Sequence, residues 1–193
     1  THRNHLSLTR HRAGPGTQHP MIADLPTDID AIKGFLLPAE ADALHRWALA
    51  ASNRGPLLEI GSYCGKSTIY LGLAARQHNS TVFALDHHRG SEEHQRGEMF
   101  HDPDLYDGEL AIVDTFREFR RNISRAGLDD VVVPIVAGSA AAARHWQTPL
   151  SMLFIDGGHS LDAALTDYRC WAGHLQRDGI LAIHDVYLDA ATG

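Results

Sequence analysis

The chain has 193 residues, 44% of them hydrophobic and 21% charged, a composition that fits one soluble α/β domain with a sizeable core. Seventeen Lys and Arg stand against 24 Asp and Glu, and the resulting net charge of −7 disfavours nucleic acid as a partner. No apolar run reaches the length of a membrane span, and Cys64 and Cys170 are too few for a disulfide framework, so a cytoplasmic protein without a membrane partner is expected.

Residues 1–20 hold Arg3, Arg10, Arg12, four His and only two Leu, with no acid. Such a segment cannot bury enough apolar surface to order itself, so it reads as a disordered arm or extension preceding a domain at 21–193. Pro38 to Ala51 is apolar at helical spacing, with Pro38 suited to a first turn. Leu57 to Gly61 reads as a buried strand, Lys66 to Gln77 as a helix, and Thr81 to Asp86 as a second strand. A polar segment follows from His87 to about Gly108. Its His87, His88, His94 and His101, with Glu92, Glu93, Asp102 and Asp104, match no tight zinc spacing. The segment reads as a solvated loop or as a lid, with Tyr63 and Arg89 facing an acceptor.

Leu110 to Ala126 is expected to be an amphipathic helix closed by Gly127, Val131 to Val136 a strand, and Ser139 to Trp146 a short helix. Leu150 to Ile155 is a strand, Leu161 to Leu175 a helix and Ile180 to His184 the last strand. Trp47, Trp146 and Trp171 fall at helical positions and read as packing residues. This alternation predicts right-handed βαβ units and a Rossmann-like, doubly wound, mostly parallel sheet with helices on both faces. Ligands of such sheets lie at the carboxyl ends of the strands. Those ends carry Gly61, Asp86, Gly138, Asp156 and Asp185.

The stretch from Gly61 to Ser67 resembles a phosphate loop but has only Ser62, Tyr63 and Cys64 between Gly61 and Gly65, one residue too few. Glu59, two residues before Gly61, would repel phosphates and suit a cation. Asp86 lies about twenty residues beyond Gly65, where an acid can take both ribose hydroxyls of a nucleoside. The G-x-G-x-x-G pattern of dinucleotide binding is absent. A nucleotide-binding protein for ATP or NAD remains an alternative on these residues.

With Glu59, the glycine turn and Asp86 in place, the chain resembles the class I S-adenosylmethionine-dependent methyltransferases from about Ile29 to Val186. The matching group ends its fourth and fifth strands in I-D-G-x-H and H-D, here Ile155-Asp156-Gly157-Gly158-His159 and His184-Asp185. The resemblance implies that the turn from Glu59 to Ser62 holds the methionine part of the cofactor, Asp86 the ribose, and Gly138 and Ser139 the border of the adenine. Cofactor contacts are thus expected from Glu59, Gly61, Ser62, Tyr63, Gly65, Ser67, Asp86, His87, Gly138, Ser139 and Asp156. The chain also resembles the catechol O-methyltransferase-like branch, in which acids after strands four and five hold Mg²⁺ or Mn²⁺. That role would fall to Asp156 and Asp185. The branch has an amide after the second acid and this chain has Val186, so His184 or Asp189 is the candidate substitute.

His159 stands three residues after Asp156, where the branch carries a catalytic lysine, and its imidazole suits a base at neutral pH. The catalytic set expected is His159, Asp156 and His184. The activity implied is O-methylation of a small-molecule hydroxyl, on a sugar or secondary metabolite, with a non-catalytic S-adenosylmethionine-binding module as the competing reading. The antiparallel strands that finish this fold are absent from the chain. The domain is therefore expected to be C-terminally incomplete, or its last strand covered by another chain as in a homodimer.

Overall fold

A computed structural model of the chain describes residues 22, 24–26, 28–91, 97, 102–158 and 160–186. The expected arm at 1–20 lies outside them. The elements run α1 (Pro38–Ser52), β1 (Leu57–Ile60), α2 (Lys66–Arg76), β2 (Val82–Asp86), β3 (Tyr106–Asp107), β4 (Ile112–Val113), α3 (Phe116–Arg125), β5 (Val132–Val136), α4 (Ser139–Ala143), β6 (Leu150–Ile155), α5 (Leu161–Trp171) and β7 (Leu175–Ile183). Five strands form one sheet in the order β5-β2-β1-β6-β7, and every pairing in it is parallel. β3 and β4 form a separate antiparallel pair.

Strand residues alternate between two buried faces, which is why the runs are apolar throughout. Leu57, Val82, Ala84, Met152 and Phe154 point to the side covered by α1, α2 and α3. Leu58, Ile60, Leu85, Leu153 and Ile155 point to the side of Trp171 on α5 and of Ala142 and Ala143 on α4. The chain winds outward from β1 through β2 to β5 on one side, then returns to β6 and β7 on the other. The strand order therefore reverses between β1 and β6, and a crevice opens there at the carboxyl ends. Pro134 lacks an amide donor and sits in the edge strand β5, the place a sheet tolerates it. At the opposite edge, Leu181 and Ile183 of β7 are 38% and 39% exposed.

Four expected boundaries move. The helix expected from Leu110 begins at Phe116. Asp107 instead accepts from the amides of Glu109 and Leu110 and turns the chain into the β3–β4 pair, while Asp114 accepts from Phe116 N. These short acids satisfy backbone donors that a helix would otherwise need. The helix over Ser139 to Trp146 stops at Ala143. α5 ends at Trp171, followed by one 3₁₀ turn, and β7 starts at Leu175, five residues before the expected strand. A bulge with Asp178 at φ 61° absorbs the residues between Leu175 and Ile180 into the strand. No helix among the described residues is long and apolar enough to cross a membrane.

Candidate active site

The carboxyl ends of the strands open into one cavity of about 480 Å³. Gly61, Ser62, Tyr63, Ser67, Asp86, His87, Gly138, Ser139, Asp156, His184 and Asp185 all line it. The sequence scatters these residues over more than 120 positions, and the parallel sheet gathers them at one edge.

The turn after β1 is made by close approach. Gly61 has φ 88°, and a Cβ there would lie 2.1 Å from the carbonyl oxygen of Asp156, so only glycine fits between β1 and β6. Gly65, at φ 89°, caps α2 from outside the cavity wall. Asp86 is fixed by backbone: Tyr63 N donates to its Oδ2 at 2.8 Å and His88 N to its Oδ1 at 2.7 Å. Each oxygen keeps lone pairs for a ligand. His88 is buried, its Nδ1 2.7 Å from Thr115 Oγ1 and its ring packed on Phe116 and Phe119, which ties the end of β2 to α3. Tyr63 and His88 both hold positive φ, 45° and 57°, strain concentrated at the ligand-facing edge. Ser62 lines the cavity, and its Oγ is buried without a hydrogen-bond partner among the described residues.

Glu59 differs from its expected place. It is fully buried beneath the turn and does not line the cavity. The Thr68 hydroxyl donates to its Oε2. Burial pushes its pKa up to about 8, the hydroxyls of Ser67 and Thr68 oppose the rise, and the charges of Asp156 and Asp86 add to it. At neutral pH and without a ligand, Glu59 holds its proton.

Across the crevice, the ends of β6 and β7 form an ionic cluster. His184 Nδ1 lies 3.2 Å from Asp156 Oδ1 and 3.1 Å from Asp185 Oδ2, and its Nε2 lies 3.3 Å from Glu40 Oε2 at the start of α1. The bond to Asp156 leads the effects that lift the His184 pKa to about 10, against its own burial. Asp156, His184 and Asp185 bring ligand atoms within 4.8 Å of one another. Two carboxylates and an imidazole suit a divalent cation, Mn²⁺ at least as well as Mg²⁺. His159 and Asp189 lie outside the described residues, as do Glu92, Glu93, His94 and His101.

The structure adds residues that the sequence did not single out. Glu40 reaches His184 while also accepting from Leu37 N at 2.9 Å, so the helix start and the cluster share one carboxylate. A Glu three residues after a helix boundary is a legible signal for the cap, but nothing in sequence spacing links it to position 184. Asp167 of α5 is 8% exposed and lines the cavity. Ala163, Asp167 and Trp171 fall on one helical stripe, and an acid one turn before a buried Trp was the available clue. Lys33 and Phe35 line the mouth, where Lys33 Nζ meets Asp102 at 2.5 Å and Phe35 faces Tyr63 at a ring distance of 6.4 Å.

A family model described as a methyltransferase domain matches residues 58–186. Among solved structures, the O-methyltransferase NovP aligns with a TM-score of 0.60 at 18% identity, covering 77% of this chain and 65% of NovP. Cofactor-bound Rv0187 from MTB aligns at 0.55 and 20% identity, covering 80% of this chain and 60% of the other. The SAH-bound methyltransferase PaMTH1 from Podospora anserina aligns at 0.51 and 15% identity, covering 84% and 58%. These likenesses establish the fold, and in each the chain spans less than two thirds of the other protein's length.

Proposed function

The chain belongs to the methyltransferase domain family, and on that premise we propose that it binds S-adenosylmethionine and methylates a hydroxyl of a small molecule, a sugar or a secondary metabolite, in the cytoplasm. The observation that carries the cofactor is the Asp86 carboxylate, clamped by two backbone amides beside a glycine turn that offers no phosphate cradle. A ribose diol donates two hydrogen bonds and fits a carboxylate held at this angle. Ser62 Oγ and Ser67, at the first turn of α2, suit the carboxylate of the methionine part.

Methyl transfer is an in-line displacement. The acceptor oxygen forms a bond to the methyl carbon, the carbon–sulfur bond breaks, and the hydroxyl proton passes to a base. His159 is the proposed base. His184 is unsuited to that role because it already holds its proton among three carboxylates, so its work is to position Asp156 and Asp185. A divalent cation held by Asp156 and Asp185, with His184 as the third donor once the cation displaces its proton, would lower the acceptor's pKa when bound.

Calorimetry with S-adenosylhomocysteine, ATP and NAD tests the donor. Binding of the first alone is expected, and binding of ATP alone would sink the reading. Transfer of labelled methyl from S-adenosylmethionine into a cell-extract metabolite, identified by mass, tests the reaction and separates an enzyme from a binding module.

A further inference from the structure

Asp167 is the buried acid that the methyl-transfer chemistry leaves unused. It projects from α5 into the cavity on the side where Gly138 and Ser139 follow β5. Trp171, one turn later and fully buried, donates from Nε1 to Ser139 Oγ at 2.8 Å. The Ser139 hydroxyl also stands near enough to the Asp167 carboxyl to favour its charged form. On its other flank the carboxyl lies over Gly157, where a Cβ would come within 2.8 Å of Oδ2. Burial pushes its pKa up, and the nearby Ser139 hydroxyl and the charge of His87 only partly oppose this. No Lys or Arg among the described residues forms an ion pair with it. A carboxylate in such a place, with no cation beside it, is completed by a ligand N–H donor. The amino group of adenine is such a donor. With the ribose on Asp86 at the end of β2, the adjacent end of β5 is where the base is directed.

We propose that Asp167, packed over Gly157 beside Ser139, is the specificity-determining residue that reads the amino group of the cofactor's adenine. This rests on the S-adenosylmethionine reading and goes beyond it by assigning the base selectivity to one side chain. A hypoxanthine ring carries an oxygen where adenine carries the amine, so it sets lone pairs against this carboxylate where adenine offers a hydrogen.

The test is calorimetry of the full chain, wild type and Asp167→Asn, with three ligands: S-adenosylhomocysteine, S-inosylhomocysteine and the N6,N6-dimethyl analogue of the first. Wild type is expected to prefer the adenosyl compound by at least about 30-fold over either competitor, as sites built around a donor edge do. Asn carries both a donor and an acceptor and can turn to suit either ring, so the adenosyl-to-inosyl ratio is expected to fall at least about tenfold in the variant. A role confined to tying α5 to α4 would lower the melting temperature and leave that ratio alone, and an unchanged ratio in a folded variant overturns the proposal. If Asp167→Asn does not fold, wild type decides: equal binding of the three ligands within about threefold overturns the proposal. Failure of wild type to bind S-adenosylhomocysteine at all overturns the cofactor reading itself, which the ratio does not touch.

Discussion

Around β1 and β2 the cavity wall is fixed by backbone geometry, whereas around β6 and β7 it is fixed by charge. Gly61 passes within side-chain distance of Asp156, and two amides grip Asp86. The facing wall has His184 threaded between Asp156, Asp185 and Glu40, with Asp185 at φ 55°. Backbone hydrogen bonds hardly respond to pH or salt, but ion pairs do. One wall is therefore built to present a constant shape to a cofactor. The other changes its charge with pH through His184.

The sharpest way to break this comparison is at Gly61. Gly61→Ala forces a Cβ against the Asp156 carbonyl, and it is expected to cost roughly 3 kcal/mol or more and to abolish S-adenosylhomocysteine binding. Chemical denaturation and calorimetry read the two effects, and a variant that binds normally would show that the turn is not the cofactor wall. Next in size is Asp86→Ala, which strands the amides of Tyr63 and His88. A stability loss of about 1–3 kcal/mol and at least about 100-fold weaker binding are expected.

Titration separates the walls more finely, with chelator present to exclude metals. Glu59 rises from 4.5 unfolded to about 8 folded, so the folded state holds a proton that the unfolded chain has lost. Stability therefore falls as pH climbs between those values, and Glu59→Gln is expected to flatten that stretch of the melting curve. His184 rises from 6.5 to about 10, so its contribution is full below 6.5 and fades as pH approaches 10. His184→Gln should flatten this higher window and leave the lower one intact. The smallest effect belongs to Glu40→Gln. It keeps the cap on Leu37 but removes a half-exposed charge beside His184, and a change below about 1 kcal/mol in thermal melts is expected.

The sheet could be read from the chain because strands buried on both faces are continuous apolar runs, and their ends are marked by Gly61, Asp86 and Asp156. The hairpin at Tyr106 to Val113 could not, since Leu110, Ile112 and Val113 also fit a helical stripe and the deciding hydrogen bonds come from Asp107 and Asp114. In the site, residues adjacent to strand ends were legible because topology fixes where those ends go. Glu40 and Asp167 were not, because Glu40 meets His184 from the first turn of α1 and Asp167 enters the cavity from the middle of α5, through tertiary packing that spacing does not encode. Glu59 was legible as an acid near a ligand turn, but its burial beneath the turn was not.

The Trp171–Ser139 bond has an optical consequence. The chain has three tryptophans, and two of them, Trp146 and Trp171, stand edge to face at 5.1 Å. Trp171 is sealed from solvent, and its indole hydrogen is spent on a hydroxyl in the cavity wall. A molecule that draws on Ser139 shifts the polarity felt by that indole and the coupling of the two rings. The fold thus carries its own fluorophore and near-ultraviolet dichroic pair, through which occupancy of the cavity can be followed without a label.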